Sequence, residues 1–201
     1  MSGGIVGEQM NAAIIVAHPD DEVIWCGGLM LQRPQWHWTV LSLCRADDPD
    51  RRPKFEAVCS RLGATGLISN LDDSEILAAI DPAKDIGPRV LDFLGHRRWN
   101  VILTHGDNGE YGHLRHRQVH MEVCRLLAAG ALESQILWTF AYDCELDGKC
   151  RPSSRASMFI PLSSVQLETK KSVIRDCYGY GEDSFEVSAC VSPECFACTI
   201  C

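Results

Sequence analysis

The chain has 201 residues, 46% of them hydrophobic and 23% charged, an ordinary globular composition with enough length for one sizeable core. Its net charge of −8, from 27 acids against 19 lysines and arginines, argues against nucleic acid as a partner, because such binders carry a basic excess or stripe. No apolar stretch is long enough to span a bilayer, and "MSGGIVGEQMNAA" lacks the basic-then-apolar order of a signal peptide, so a cytoplasmic location is expected.

Short apolar runs alternate with helical spacing along the chain. "AAIIVA" (12–17) predicts a buried strand, and a helix is expected from about Ile24 through "GGLMLQ". "TVLSLC" (39–44) predicts a second strand, and the charged loop "RADDPDRRP" (45–53) leads into a helix over "KFEAVCSRLG" (54–63), ended by Gly63. "GLISNL" (66–71) is a weak third strand, and Val90, Leu91, Phe93 and Leu94 have helical spacing within 85–99. "NVILTHG" (100–106) predicts a fourth strand, followed by the loop "DNGEYG" (107–112), a helix from His113 to Ala129, and a fifth strand "ILWTFAY" (136–142). Repeated strand–helix alternation predicts a single α/β Rossmann-like domain over 1–201, its mainly parallel sheet covered by helices on both faces.

His18, Asp20, Asp21 and Glu22 follow the first predicted strand as "HPDDE". Three adjacent acids repel one another, so this turn is either solvated, with an aspartate capping the helix, or balanced by a cation. In "GEYGHLRHRQVH", His113, His116 and His120 are three and four residues apart and share one helix face, which suits a divalent metal. In a parallel sheet the loops after the first and fourth strands emerge at one rim. His18, one of Asp20 and Asp21, and a helix histidine would then make three protein ligands with a position left for water, the open arrangement of a catalytic zinc site. The remaining aspartate would be near enough to take a proton from that water.

Together, "AHPDDE" and "THGDNGEYGHLRH" resemble the two signature segments of the LmbE/PIG-L-like deacetylases, metal-dependent enzymes that remove acetyl groups from N-acetylglucosaminyl substrates. The resemblance implies that His18, Asp21 and His116 hold the metal, zinc or, in the cell, ferrous iron. It implies that Asp20 is the general base, that His113 stabilises the oxyanion or protonates the leaving amine, and that Tyr111 hydrogen-bonds the carbonyl oxygen. The implied reaction is hydrolysis of an N-acetyl amino-sugar conjugate, a small molecule, by a metal-bound water. Glu22 is expected to orient the acidic turn. Where the family motif commonly reads GHPDH or GHPQH, this chain has Gly112-His113-Leu114-Arg115-His116. Adjacent helix positions diverge, so Arg115 is expected to point outwards, and His120 is expected to support a ligand or lie on the surface. A family arginine precedes the "LG" of the following helix at a spacing that Arg51 fits, with Arg52 beside it; the other reading of these two, and of Arg45, is a solvated stretch balancing "DDPD".

Eleven cysteines without an export signal are expected to be mostly reduced thiols, with Cys26 and Cys44 acting as small buried hydrophobes. Cys190, Cys195, Cys198 and Cys201 crowd a cysteine-rich tail (187–201) that either packs its thiols, hangs loose, or binds a second metal. Tyr178 and Tyr180, in a helix-then-loop segment over 170–186, either line a sugar pocket or pack the domain. Two other classes compete: a non-catalytic metal-binding or thiol-rich interaction protein on the same fold, and a non-haem iron oxygenase. The oxygenases share a two-histidine, one-carboxylate set but sit on antiparallel double sheets, at odds with the alternation here.

Overall fold

The protein is described from a computed structural model that covers residues 9–73, 80–145 and 149–201; most of the N-terminal segment read against a signal peptide lies outside them. The first half runs β1 (Asn11–Val16), α1 (Asp21–Gln32), β2 (His37–Cys44), α2 (Arg51–Arg61), β3 (Ala64–Leu71), α3 (Pro82–Asp85), α4 (Gly87–Leu94) and β4 (Arg98–Thr104). The second runs α5 (Gly109–Gly112), α6 (Leu114–Ala128), β5 (Glu133–Phe140), β6 (Tyr142–Cys144), β7 (Cys150–Pro152), β8 (Met158–Ile160), α7 (Ser164–Ser172), α8 (Phe185–Ser188) and β9 (Glu194–Ile200). Between α7 and α8 the helix continues as a π-helix, Val173–Tyr178.

β1 is apolar on both faces: Ala12, Ile14 and Val16 enter one core, and Ala13 and Ile15 the other, joined there by Ala17 just past its end. Such a strand belongs at the centre of a sheet covered on both sides. The main sheet has the order β3-β2-β1-β4-β5-β9-β8, its first five strands parallel, β9 antiparallel to β5, and β8 antiparallel to β9. One core takes in α1, α2 and the π-helix; the other takes in α4 and α6. The mostly parallel α/β sheet expected from the alternation is the one observed.

Several boundaries differ from expectation. α1 starts at Asp21 rather than near Ile24, so the acidic turn is itself the helix entrance. The fifth strand ends at Phe140 because the chain turns there into the β6–β7 hairpin, closed by a Cys144–Cys150 disulfide; the other nine cysteines are free. The cysteine-rich tail is built into the sheet as β9. A strand spreads its residues along a line and alternates their faces. On β9, Cys195 is accordingly buried and Cys198, three positions on, exposed; Cys190 is buried ahead of the strand, Cys201 is exposed just past its end, and among the described residues none of the four joins a cluster able to hold a metal. The structure therefore does not bring together Cys190, Cys195, Cys198 and Cys201, the four thiols offered by the sequence as a second metal site.

β9 also anchors the helix that carries the acidic turn. α1 is kinked at Cys26 (φ −147°, ψ 16°), and beyond the kink Gly28 and Leu29 give their N–H groups to the two oxygens of Glu194, both at 2.7 Å. Lys170 of α7 donates to the same carboxylate at 2.7 Å, and both side chains are wholly buried. On the other side of the kink the Tyr142 hydroxyl donates to Trp25 O at 3.2 Å and accepts from Cys195 N–H at 3.0 Å.

Candidate active site

The chain places β2 and β3 on one side of β1, then returns to place β4 and β5 on the other, and such a reversal opens a crevice beyond the carboxyl ends of the strands. β1 and β4 are direct neighbours with Ile15 opposite Thr104, so the segments that follow them meet in this crevice. The join is visible in one bond: Ala17 N–H donates to Nε2 of His105 at 3.0 Å.

The first segment leaves Asp20 free of local duty. Asp20 occupies the N-cap position with φ 122°, yet its side chain makes no capping bond. Instead Glu22 accepts Asp20 N–H at 3.0 Å and Asp21 Oδ2 accepts His18 N–H at 2.9 Å. Glu22 is held in turn by the Tyr178 hydroxyl at 2.5 Å, and burial lifts its carboxyl to about 7. The Asp20 carboxylate faces the crevice, where the Tyr180 hydroxyl donates to Oδ2 and Arg51 Nη1 lies 3.6 Å away. Burial and the neighbouring Asp21 charge raise its pKa above the ordinary carboxylate range.

The second segment supplies His105, Glu110, Tyr111, His113 and His116. Nδ1 of His18, Oδ2 of Asp21 and Nε2 of His116 form a triangle: His18–Asp21 3.3 Å, His116–Asp21 3.5 Å and His116–His18 3.3 Å. Ligands at about 2.0–2.1 Å from a tetrahedral zinc lie roughly 3.3–3.4 Å from one another, so these three atoms fit one face of such a site. The histidines are backed by carboxylates, as metal-ligating histidines usually are. Glu110 Oε2 faces His116 Nδ1 at 2.6 Å, and Asp73 Oδ2 faces His18 Nε2 at 3.3 Å. His105 Nε2 is also 3.5 Å from Asp21, but it is engaged by Ala17 N–H, and its Nδ1 meets Glu110 at 3.0 Å.

The electrostatics follow from this packing. Burial would raise the carboxyls of Asp21, Asp73 and Glu110, but the histidines beside them outweigh it; Asp73 and Glu110 are held at about 2 and Asp21 is held well below its ordinary value. Against the pull of burial, Asp21 and Asp73 lift His18 to about 10. Burial, with His116 and His18 nearby, takes His113 down to about 3, and its buried Nδ1 has no hydrogen-bond partner among the described residues. Burial raises the Tyr111 hydroxyl, which therefore stays protonated as a donor. A pocket of about 250 Å³ opens over these groups, with Asp20, Arg51, Tyr111, His113, Tyr180 and Phe185 among its walls.

The remaining sequence candidates divide by geometry. Arg51, the first residue of α2, lines the pocket and lies over the Tyr180 ring at 4.7 Å. Arg52, one step round the helix, ion-pairs with Glu56 at 2.8 Å on the exposed face and does not reach the pocket. Arg45 lines the pocket and pairs with Asp73 at 3.2 Å. Tyr180 is a wall of the pocket whereas Tyr178 is packed beneath Glu22. Arg115 is buried rather than outward-facing, because its Nε donates to Asp72 O at 2.9 Å and its Nη1 to Gln118 at 2.7 Å. His120 lies behind the site, its Nδ1 donating to His105 O at 2.8 Å. Three participants were not picked out from sequence: His105, Glu110 and Asp73. A histidine directly after a buried apolar run was a readable signal for the first; the other two gave none.

A mostly parallel sheet with two histidines and an aspartate converging beyond its first and fourth strands defines an α/β protein with a candidate metal site at the strand ends. The sequence profile of the PIG-L family, GlcNAc-PI de-N-acetylase, matches residues 13–127, and the chain belongs to this family. It is 24% identical over 149 residues to the uncharacterized protein L374 of Acanthamoeba polyphaga mimivirus, covering 67% of this chain and 63% of that one, so it spans less than two thirds of that relative's length. The fold is shared with N,N'-diacetylchitobiose deacetylase from Pyrococcus horikoshii (TM-score 0.72, 14% identity, 96% of this chain and 85% of that one). It is also shared with GalB, the 4-carboxy-2-hydroxymuconate hydratase of Pseudomonas putida KT2440 (TM-score 0.66, 20% identity, 89% and 83%). The A40926 pseudoaglycone deacetylase Dbv21 superposes with TM-score 0.60 at 13% identity over 86% and 83%. No helix among the described residues is long and apolar enough to cross a membrane.

Proposed function

We propose that the chain is a metal-dependent deacetylase that hydrolyses the acetamido bond of an N-acyl amino-sugar conjugate, N-acetylglucosaminyl conjugates being the first class to test, and that residues 1–201 work as one domain. The observation that carries this reading is the triangle of His18, Asp21 and His116 atoms with the Asp20 carboxylate beside it in the same pocket. Those three residues would hold the ion, zinc or, in the cell, ferrous iron. Bound there, it would supply Lewis acidity toward water and the amide carbonyl.

The protein's own groups account for the rest. Asp20 takes the proton of the attacking water as the new C–O bond forms, with Tyr180 and Arg51 fixing its direction. Negative charge then grows on the carbonyl oxygen, and the protonated Tyr111 hydroxyl and the neutral His113 ring are placed to donate to it. With its pKa at about 3, His113 suits this role better than that of proton donor. The proton held by Asp20 passes to the nitrogen, the C–N bond breaks, and acetate and a free amine result.

The test is acetate release from a panel of N-acetylglucosaminyl conjugates by metal-reconstituted protein. Release that stops on chelation and returns with zinc is expected; a chain that binds one metal and releases no acetate from any conjugate would instead be a non-catalytic metal protein. Arg51 is the proposed sugar contact. Arg51→Ala should raise KM by about 10-fold, the loss of one hydrogen bond to a charged group, while Arg52→Ala should leave KM within about twofold. Equal effects of the two would remove Arg51 from the pocket's recognition role.

A further inference from the structure

Glu110 pays a conformational cost that no local need explains. It is a non-glycine residue at φ 58°, ψ −56°, and its carboxylate is buried. Strained backbone of this kind persists where the surroundings over-determine it. Here one carboxylate is surrounded by three donors: Oε2 meets His116 Nδ1 at 2.6 Å and His105 Nδ1 at 3.0 Å, and Oε1 accepts Gly106 N–H at 2.7 Å.

We infer that Glu110 is a positioning residue whose single carboxylate sets the tautomer of both His105 and His116. An ionised carboxylate only accepts, so each ring must present Nδ1–H to it and keep its lone pair on Nε2. For His105 a second bond makes the same demand, because Ala17 N–H donates to that Nε2. For His116 the consequence is that the Nε2 lone pair faces His18 Nδ1 and Asp21 Oδ2. Glu110 thereby ties together the two segments of the crevice: His116 is aimed from one, and the start of the other is pinned through His105 and Ala17. This rests on the metal-site reading above and goes beyond it by assigning a residue with no ligand atom in the triangle.

A glutamine at this position has one oxygen and one NH2. With the NH2 toward the rings, both histidines must switch to Nε2–H, which removes the metal-facing lone pair of His116 and sets two donors against each other at Ala17. With the NH2 toward Gly106, two donors face each other there. Glu110→Gln should therefore weaken Zn²⁺ binding by about 10- to 100-fold in a chelator-competition titration of metal-free protein, as loss of a carboxylate behind a ligating histidine does elsewhere. Asp107→Asn, in the same loop but facing Arg155, should bind as wild type does. Long-range proton–nitrogen NMR of the metal-free wild type, which needs no variant to fold, should find both rings as Nδ1–H tautomers. An Nε2–H tautomer at either ring, or a Glu110→Gln affinity within twofold of wild type, overturns the inference. Neither readout involves an acetylated substrate. Failure to release acetate with both results intact removes the deacetylase reading and leaves this one standing, whereas a wild type that binds no Zn²⁺ removes both.

Discussion

Asp20→Asn is expected to lower acetate release by about 10²- to 10⁴-fold, the usual contribution of a positioned general base, while the protein still binds one metal ion. The two halves of this expectation have separate grounds. The carboxylate of Asp20 lies outside the His18–Asp21–His116 triangle and is engaged by Tyr180 and Arg51, so its charge is not needed to complete a ligand set. Asparagine keeps the size and can still accept from Tyr180, but it cannot take a proton from water. Because burial and Asp21 hold this carboxyl above the ordinary range, the base becomes competent only as pH rises past that raised value. The ascending limb of the wild-type pH–rate profile should therefore lie above pH of about 4. Metal content by atomic absorption, beside steady-state kinetics, checks the prediction. Loss of metal in the variant would make Asp20 a ligand, and retained activity would put the base elsewhere.

The second large effect is on stability. Glu194→Ala leaves Lys170 charged and buried without its partner, a defect that usually destabilises by about 3–5 kcal/mol. In a chain of this size each kcal/mol shifts the melting temperature by about 2–4 °C, so a fall of roughly 6–20 °C is expected in a thermal unfolding experiment. Removing both charges, as in Lys170→Met with Glu194→Leu, often restores stability at a buried ion pair. It should do so incompletely here, because the carboxylate also satisfies Gly28 and Leu29 N–H beyond the kink in α1. Each buried donor left without a partner costs about 1–3 kcal/mol. A double variant as stable as wild type would show that the kink does not depend on Glu194.

These two expectations differ in how early they could be formed. "HPDDE" and "GEYGHLRH" were legible as a metal-type site because each follows a recognisable apolar run, and the periodicity of those runs places both at the same rim of a parallel sheet. The roles proposed for Asp20 and Asp21 were suggested only by the family resemblance; the backbone turns Asp20 to φ 122°, and Asp21 lies among the histidines. Lys170 and Glu194 gave no signal at all. They sit 24 residues apart, and the helix they stabilise lies more than 160 residues before Glu194.

By itself, then, the sequence determined the alternation of strands and helices, the burial of β1, and the histidines and acids at the strand ends. Those properties depend on period, apolar content and residue type, all of which are local. Tertiary structure alone decided which arginine of the adjacent pair enters the pocket, that Arg115 turns inward to Asp72 and Gln118, and that the cysteine-rich tail becomes an antiparallel strand. It alone decided that His116 turns Nε2 toward His18 and Asp21 and Nδ1 toward Glu110, whose carboxylate meets two histidines from a backbone in the left-handed region. The physical reason is common to all four. Each outcome is set by where a side chain finds its hydrogen-bond or packing partner in the folded chain, and periodicity does not encode that partner.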